Sequence, residues 1–114
     1  MTEYRLPLRT TSKLNDRKHW AARHRQAKAE RRAAYMATRR HDLPCVVTLT
    51  RVSPGTLDGD NLQGAMKSIR DGVADRLGID DRDSRVEWRY AQRRGRPRQY
   101  GVVITIAACL EQGK

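Results

Sequence analysis

Leu62, Ala65, Met66, Ile69, Val73 and Leu77 recur at helical spacing, which lines them along one face of a helix. The spacing predicts a helix from Asp60 or Asn61 to about Leu77, stopped by Gly78. Directly upstream, the segment CVVTLTRV at 45–52 is β-branched and alternating, the pattern of a strand with one face on a core. A strand feeding an amphipathic helix through a short loop at 53–59 limits the chain to architectures that stack helix on sheet.

The remaining segments fit that frame. Residues 4–8 alternate apolar and polar and read as a short strand, followed by a polar loop at 10–16. Residues 17–40 are rich in Ala, Arg, Lys and Gln without Gly or Pro, which predicts a long helix with a narrow apolar stripe that includes Trp20, Ala27 and Ala34. Residues 41–44 break it. After an acidic loop at 79–84, residues 85–93 and 99–109 read as strands. Gly95, Arg96 and Pro97 between them suggest an antiparallel hairpin. The order β-α-β-α-β-β predicts an α+β fold: a small mixed or antiparallel sheet of about four strands with two helices on one face. At 114 residues this is one domain, 1–114, with no repeat and no linker. Apolar residues make up 38% and Phe is absent, so the core is thin and oligomerisation is expected.

Charge bounds the partners. Lys and Arg number 24 against 13 Asp and Glu, a net charge of +11, which points to polyanions and to nucleic acid first. Residues 1–44 carry twelve cations against four acids, whereas seven of the acids crowd between Asp58 and Asp83. A protein that only coats phosphate gains nothing from concentrated aspartates; one that holds a cation against phosphate does. No apolar run is long enough for a membrane span, and residues 1–9 lack the pattern of a leader, so a cytoplasmic protein is expected. Cys45 and Cys109 lack metal-ligand spacing and read as buried thiols. No small-molecule substrate is suggested.

Asp58-Gly59-Asp60-Asn61 places two carboxylates two residues apart with a relaxed backbone between them. Mg²⁺ takes one or two carboxylates together with waters and phosphate oxygens. Asp and Asn also cap helices, so the motif alone leaves both readings open. The second acidic group, Asp80, Asp81 and Asp83, lies beyond the helix, roughly 25 Å away along its axis. It can approach the first pair only if the loop folds back; otherwise it is a solvated turn. Asp60, Gly64, Lys67 and Asp71 share a helical stripe. Lys67 either reaches over Gly64 toward Asp60, where it would stabilise charge on a phosphodiester, or forms an i,i+4 pair with Asp71.

Together these residues resemble the RusA-type Holliday junction resolvases. Asp58-Gly59-Asp60-Asn61-Leu62 is similar to that family's D-x-D-N-L opening between strand and helix. Arg82-Asp83-Ser84-Arg85-Val86 is similar to its D-D-x-Q-V-type loop. The resemblance implies a homodimeric, Mg²⁺-dependent endonuclease, with Mn²⁺ substituting, that cuts four-way DNA junctions by paired symmetric nicks and occurs in phage or prophage. It implies metal-binding roles for Asp58, Asp60 and a third carboxylate, which is Asp83 when counted from Gly78 and Asp81 when the paired aspartates are matched. The family's lysine falls at Gly64, and Lys67 is its candidate replacement.

Lys13, Asn15, Lys18 and Arg23 around the first helix, with Arg93, Arg94, Arg96 and Arg98 at the turn between the last strands, are the expected DNA contacts. Trp88 and Tyr90 share one strand face and read as core or dimer interface. The alternative function is a basic nucleic-acid-binding protein that keeps the fold without catalysis, with Gly64 as its sign.

Overall fold

The computed structural model describes residues 1–10, 20–80 and 82–109. Its elements run β1 (Thr2–Leu6), α1 (Trp20–Ala37), β2 (Cys45–Ser53), α2 (Gly59–Leu77), β3 (Val86–Arg94) and β4 (Gly101–Ala108). The expected α+β layout is present as two helices and one four-stranded mixed sheet, ordered β1-β4-β2-β3.

Strand pairing departs from expectation in one respect. β3 and β4 do not form a hairpin, because β2 lies between them. β3 pairs with β2 in parallel, Cys45 opposite Val86 through Ser53 opposite Arg94, while β4 pairs with β2 and β1 antiparallel. The side chains explain the order. β2 is apolar enough to be flanked on both edges, and its burial alternates along most of its length. β3 carries Glu87, Arg89, Arg93 and Arg94, which suit an outer edge. The six residues 95–100 reach across the end of β2, where the Gly95 N–H donates to Ser53 O at 2.9 Å.

α2 is the crossover between the parallel strands β2 and β3. Leu62, Ala65, Met66, Ile69, Val73 and Leu77 are all buried, as their spacing requires, against Val47, Leu49, Val102, Ile104 and Ile106 of the sheet. The helix closes with Gly78 at φ 74°, the Gly78 N–H donating to Asp75 O and the Ile79 N–H to Ala74 O, both at 3.1 Å. This double bond satisfies its last carbonyls and needs the left-handed backbone that glycine supplies.

α1 packs on α2 at Gly72. A methyl group there would meet the Arg31 carbonyl oxygen and lie 2.8 Å from Ala34 Cβ, so the helices touch where no side chain intervenes. Around this point Arg31 forks onto Asp75, with Nε at 2.7 Å and Nη2 at 2.9 Å. Arg76 stacks 4.5 Å from the Tyr35 ring and donates through Nε to Thr38 O at 2.8 Å. α1 ends three residues before the expected Arg40, because Thr38 turns its hydroxyl back onto Ala34 O and gives its own carbonyl to Arg76.

Candidate functional site

The turn from β2 into α2 is built from both sides. Arg51, near the end of β2, is buried and gives its guanidinium to backbone carbonyls, Thr10 O at 3.2 and 3.3 Å and Gly55 O at 3.1 Å. Burial pushes its pKa down from the usual arginine value, opposed in part by Tyr100 and reinforced by the like charge of Arg9. From β3, the Gln92 amide clamps Leu57 in both directions, accepting its N–H and donating to its carbonyl, each at 2.8 Å. The residue before Asp58 is therefore fixed.

The helix begins earlier than expected, at Gly59, with Asp58 in the N-cap position. The Asp58 carbonyl accepts the Leu62 N–H at 2.7 Å, but its side chain makes no capping bond. Asp60 lies in the first turn, where the helix dipole favours negative charge. Both side chains are exposed, and neither has a hydrogen-bond or ion-pair partner among the described residues. The capping role that competed with metal binding is thus filled by neither carboxylate.

Arg93, Arg94, Arg96 and Arg98 are exposed at this same end of the sheet, since Ser53 and Arg94 are register partners. Arg94 Nε donates to Pro54 O at 3.1 Å, and the Arg96 N–H donates to the Gln99 side chain at 2.8 Å. Arg98 adopts φ 65°. The basic turn and the Asp58–Asp60 pair therefore flank one rim of the molecule. Arg23 lies on α1 beside Trp20 and His24. Lys13, Asn15, Lys18 and Asp81 lie outside the described residues.

Asp83 is not at this rim. β3 does run antiparallel to α2, but it brings Gln92 to the Asp58 turn and leaves Asp83 just before Val86, opposite the start of β2. The paired strands between these ends span about 26 Å. No group of three metal-ligating side chains forms among the described residues. Asp83 instead closes a turn: Oδ1 accepts the Arg85 N–H at 2.9 Å, and Oδ2 accepts Arg85 Nη2 at 2.7 Å. These bonds from Arg85, side chain first and backbone second, hold its carboxyl down at about 2. Asp80 likewise accepts the Arg82 N–H at 2.9 Å.

Lys67 points along α2 to Asp71, Nζ to Oδ1 at 3.4 Å, with its side chain 67% exposed. This is the i,i+4 pair rather than a reach toward Asp60. Trp88 and Tyr90 pack against the core cluster, and Arg70 sits over them, 4.7 Å from the Trp88 ring, with Nη1 donating to the Tyr90 hydroxyl at 2.8 Å. Sequence reasoning missed Arg51 and Gln92, the two residues that hold the site turn. Gln92 shares its strand face with Arg94 as well as with Val86, Trp88 and Tyr90, so the alternation did not single it out.

The fold and rim define a two-layer α+β domain with an acidic turn set in a basic edge. No protein-family model, curated protein or solved structure matches this chain.

Proposed function

We propose that this chain is a Mg²⁺-dependent, structure-selective DNA endonuclease of the RusA kind, a homodimer that resolves four-way junctions by paired symmetric nicks. One observation carries the reading. In a chain of net charge +11, two adjacent carboxylates stand exposed and without a cation at a rigidly held strand-to-helix turn, beside four exposed arginines. Those arginines would hold phosphates by charge, with little sequence preference. The chemistry of the donor set fits Mg²⁺, whose site needs one or two carboxylates beside water and phosphate. Asp58 and Asp60 would hold the ion, and Arg51 and Gln92 would keep them in place. Bound there, Mg²⁺ would supply an activated water and offset charge on the phosphodiester.

The third carboxylate has to come from elsewhere. Asp83 lies at the far end of α2, so it would serve the Asp58–Asp60 pair of a second copy, and a complete site would need two chains.

The test uses synthetic four-way junctions with Mg²⁺ or Mn²⁺. Asp60→Asn is expected to bind junctions and not cut them, and Asp83→Asn likewise. Mixing the two inactive variants rebuilds one intact site in each mixed dimer, restoring about a quarter of the wild-type sites if subunits exchange at random. Recovery on mixing is the expected result. Wild-type protein that binds junctions but cleaves with neither ion would remove the enzyme reading.

The second reading, a nucleic-acid-binding protein without catalysis, is favoured by Gly64 standing where the resembled family has lysine and by Lys67 being turned to Asp71.

A further inference from the structure

A concave pocket of about 380 Å³ lies between α2 and the edge strand β3, lined by Gln63, Gly64, Lys67, Arg70, Arg82 and Tyr90. We propose that it binds one phosphate of a nucleic-acid backbone. The proposal takes from the nuclease reading only the identity of the polymer.

The lining is chemically one-sided. Lys67, Arg70 and Arg82 bring three positive charges to one small volume, and among the described residues no carboxylate lines it. Gln63 adds an amide donor. Tyr90 accepts from Arg70 through its phenolic oxygen, at 2.8 Å, which leaves the hydroxyl proton to donate into the pocket. A phosphate has the acceptor oxygens that such donors require.

The geometry is prepared in advance. Arg70 is held against Trp88 and Tyr90, so its fork loses little freedom on binding. Lys67 is on a loose, exposed pair with Asp71 at 3.4 Å, an interaction that costs little to exchange for phosphate. Gly64 adds no side chain to the lining. Asp60, Gly64 and Lys67 follow one helical stripe, so the near edge of the pocket is about 6 Å from Asp60 along α2 and its cations Lys67 and Arg70 are roughly 10–15 Å along.

The experiment measures binding of the full chain to a labelled four-way junction across a salt series, in Ca²⁺ or EDTA so that nothing is cut. The variants are Lys67→Ala with Arg82→Ala combined, both exposed positions, and Arg89→Ala as a control on the opposite face of β3. The double variant is expected to bind several-fold more weakly at moderate salt. The slope of log K against log salt should fall by about 0.9, one phosphate contact. Arg89→Ala should keep the wild-type slope. A double variant with the wild-type slope overturns the proposal. So does inorganic phosphate, followed by ³¹P line broadening, binding the pocket while the slope on DNA stays unchanged, since the site would then serve a free anion. Loss of slope in a protein that never cleaves supports the pocket and removes only the nuclease reading.

Discussion

Replacing Gly72 by alanine tests the contact on which the two-helix layer rests. In an isolated helix the change stabilises by about 1 kcal/mol, because glycine is the poorer helix former. Here the added methyl would lie 2.8 Å from Ala34 Cβ and press on the Arg31 carbonyl oxygen, where ordinary contact begins at 3.4 Å. The helices must part by several tenths of an ångström or more, loosening the Arg31–Asp75 and Arg76–Thr38 bonds that surround the crossing. Overpacking of this kind costs typically about 1–3 kcal/mol. Set against the propensity gain, the clash leaves a net loss of up to about 2 kcal/mol. In a domain of this size that lowers the melting temperature by up to roughly 10 °C. Thermal melts by circular dichroism, with Gly59→Ala alongside, make the comparison sharp, because a methyl group at Gly59 meets nothing within 4 Å. Gly59→Ala should melt at or slightly above wild type. A Gly72→Ala protein as stable as the Gly59→Ala protein would refute the close crossing.

Two further outcomes follow from the geometry. The fork from Arg31 holds the Asp75 carboxyl below its usual range. A depressed pKa adds stability above the unfolded-state value, which is lost as pH falls through the folded one. Asp75→Asn should therefore cost up to about 1 kcal/mol at neutral pH, as expected of a half-exposed pair. The difference should vanish in denaturant titrations at acid pH; an equal deficit at every pH would mean that charge is not the cause. Replacing Arg93, Arg94, Arg96 and Arg98 together by serine should weaken junction binding strongly and flatten its salt dependence, read by fluorescence anisotropy. An unchanged salt slope would take the basic turn out of the DNA surface.

Element identity was legible in the sequence to the extent that periodicity encodes it. The spacing from Leu62 to Leu77 and the β-branched run at 45–52 report local geometry, and both reappear as α2 and β2. Pairing was less legible, because which strand neighbours which depends on the relative burial of whole strands. Gly95 and Pro97 are good turn residues, but a turn does not dictate that its flanking strands pair. The charges of β3 were the available clue that it takes the edge and cedes the centre to β2. The Asp58–Asp60 pair was recognisable from its spacing, yet its lack of a capping role depends on where the helix begins, which is three residues before the first periodic apolar position, Leu62. The separation of Asp83 was foreshadowed by the length of α2, and the parallel register of β2 and β3 preserves it. Arg51 and Gln92 hold the site through backbone groups of loops, and such contacts leave no periodic trace.

The pairing of β1 with β4 has a consequence for how the molecule comes into being. Thr2 lies opposite Ile106, so the earliest of the described strands waits for the latest of them. Until β4 is made, β2 lacks its inner neighbour and the core lacks Ile104 and Ile106. The sheet closes across nearly the whole described chain, a topology that folds slowly because the loop entropy is lost before the contacts form. The Asp58 turn, held by Gln92 of β3, and α1, packed on α2, do not depend on β4, whereas β1 joins the sheet only when β4 is inserted between it and β2.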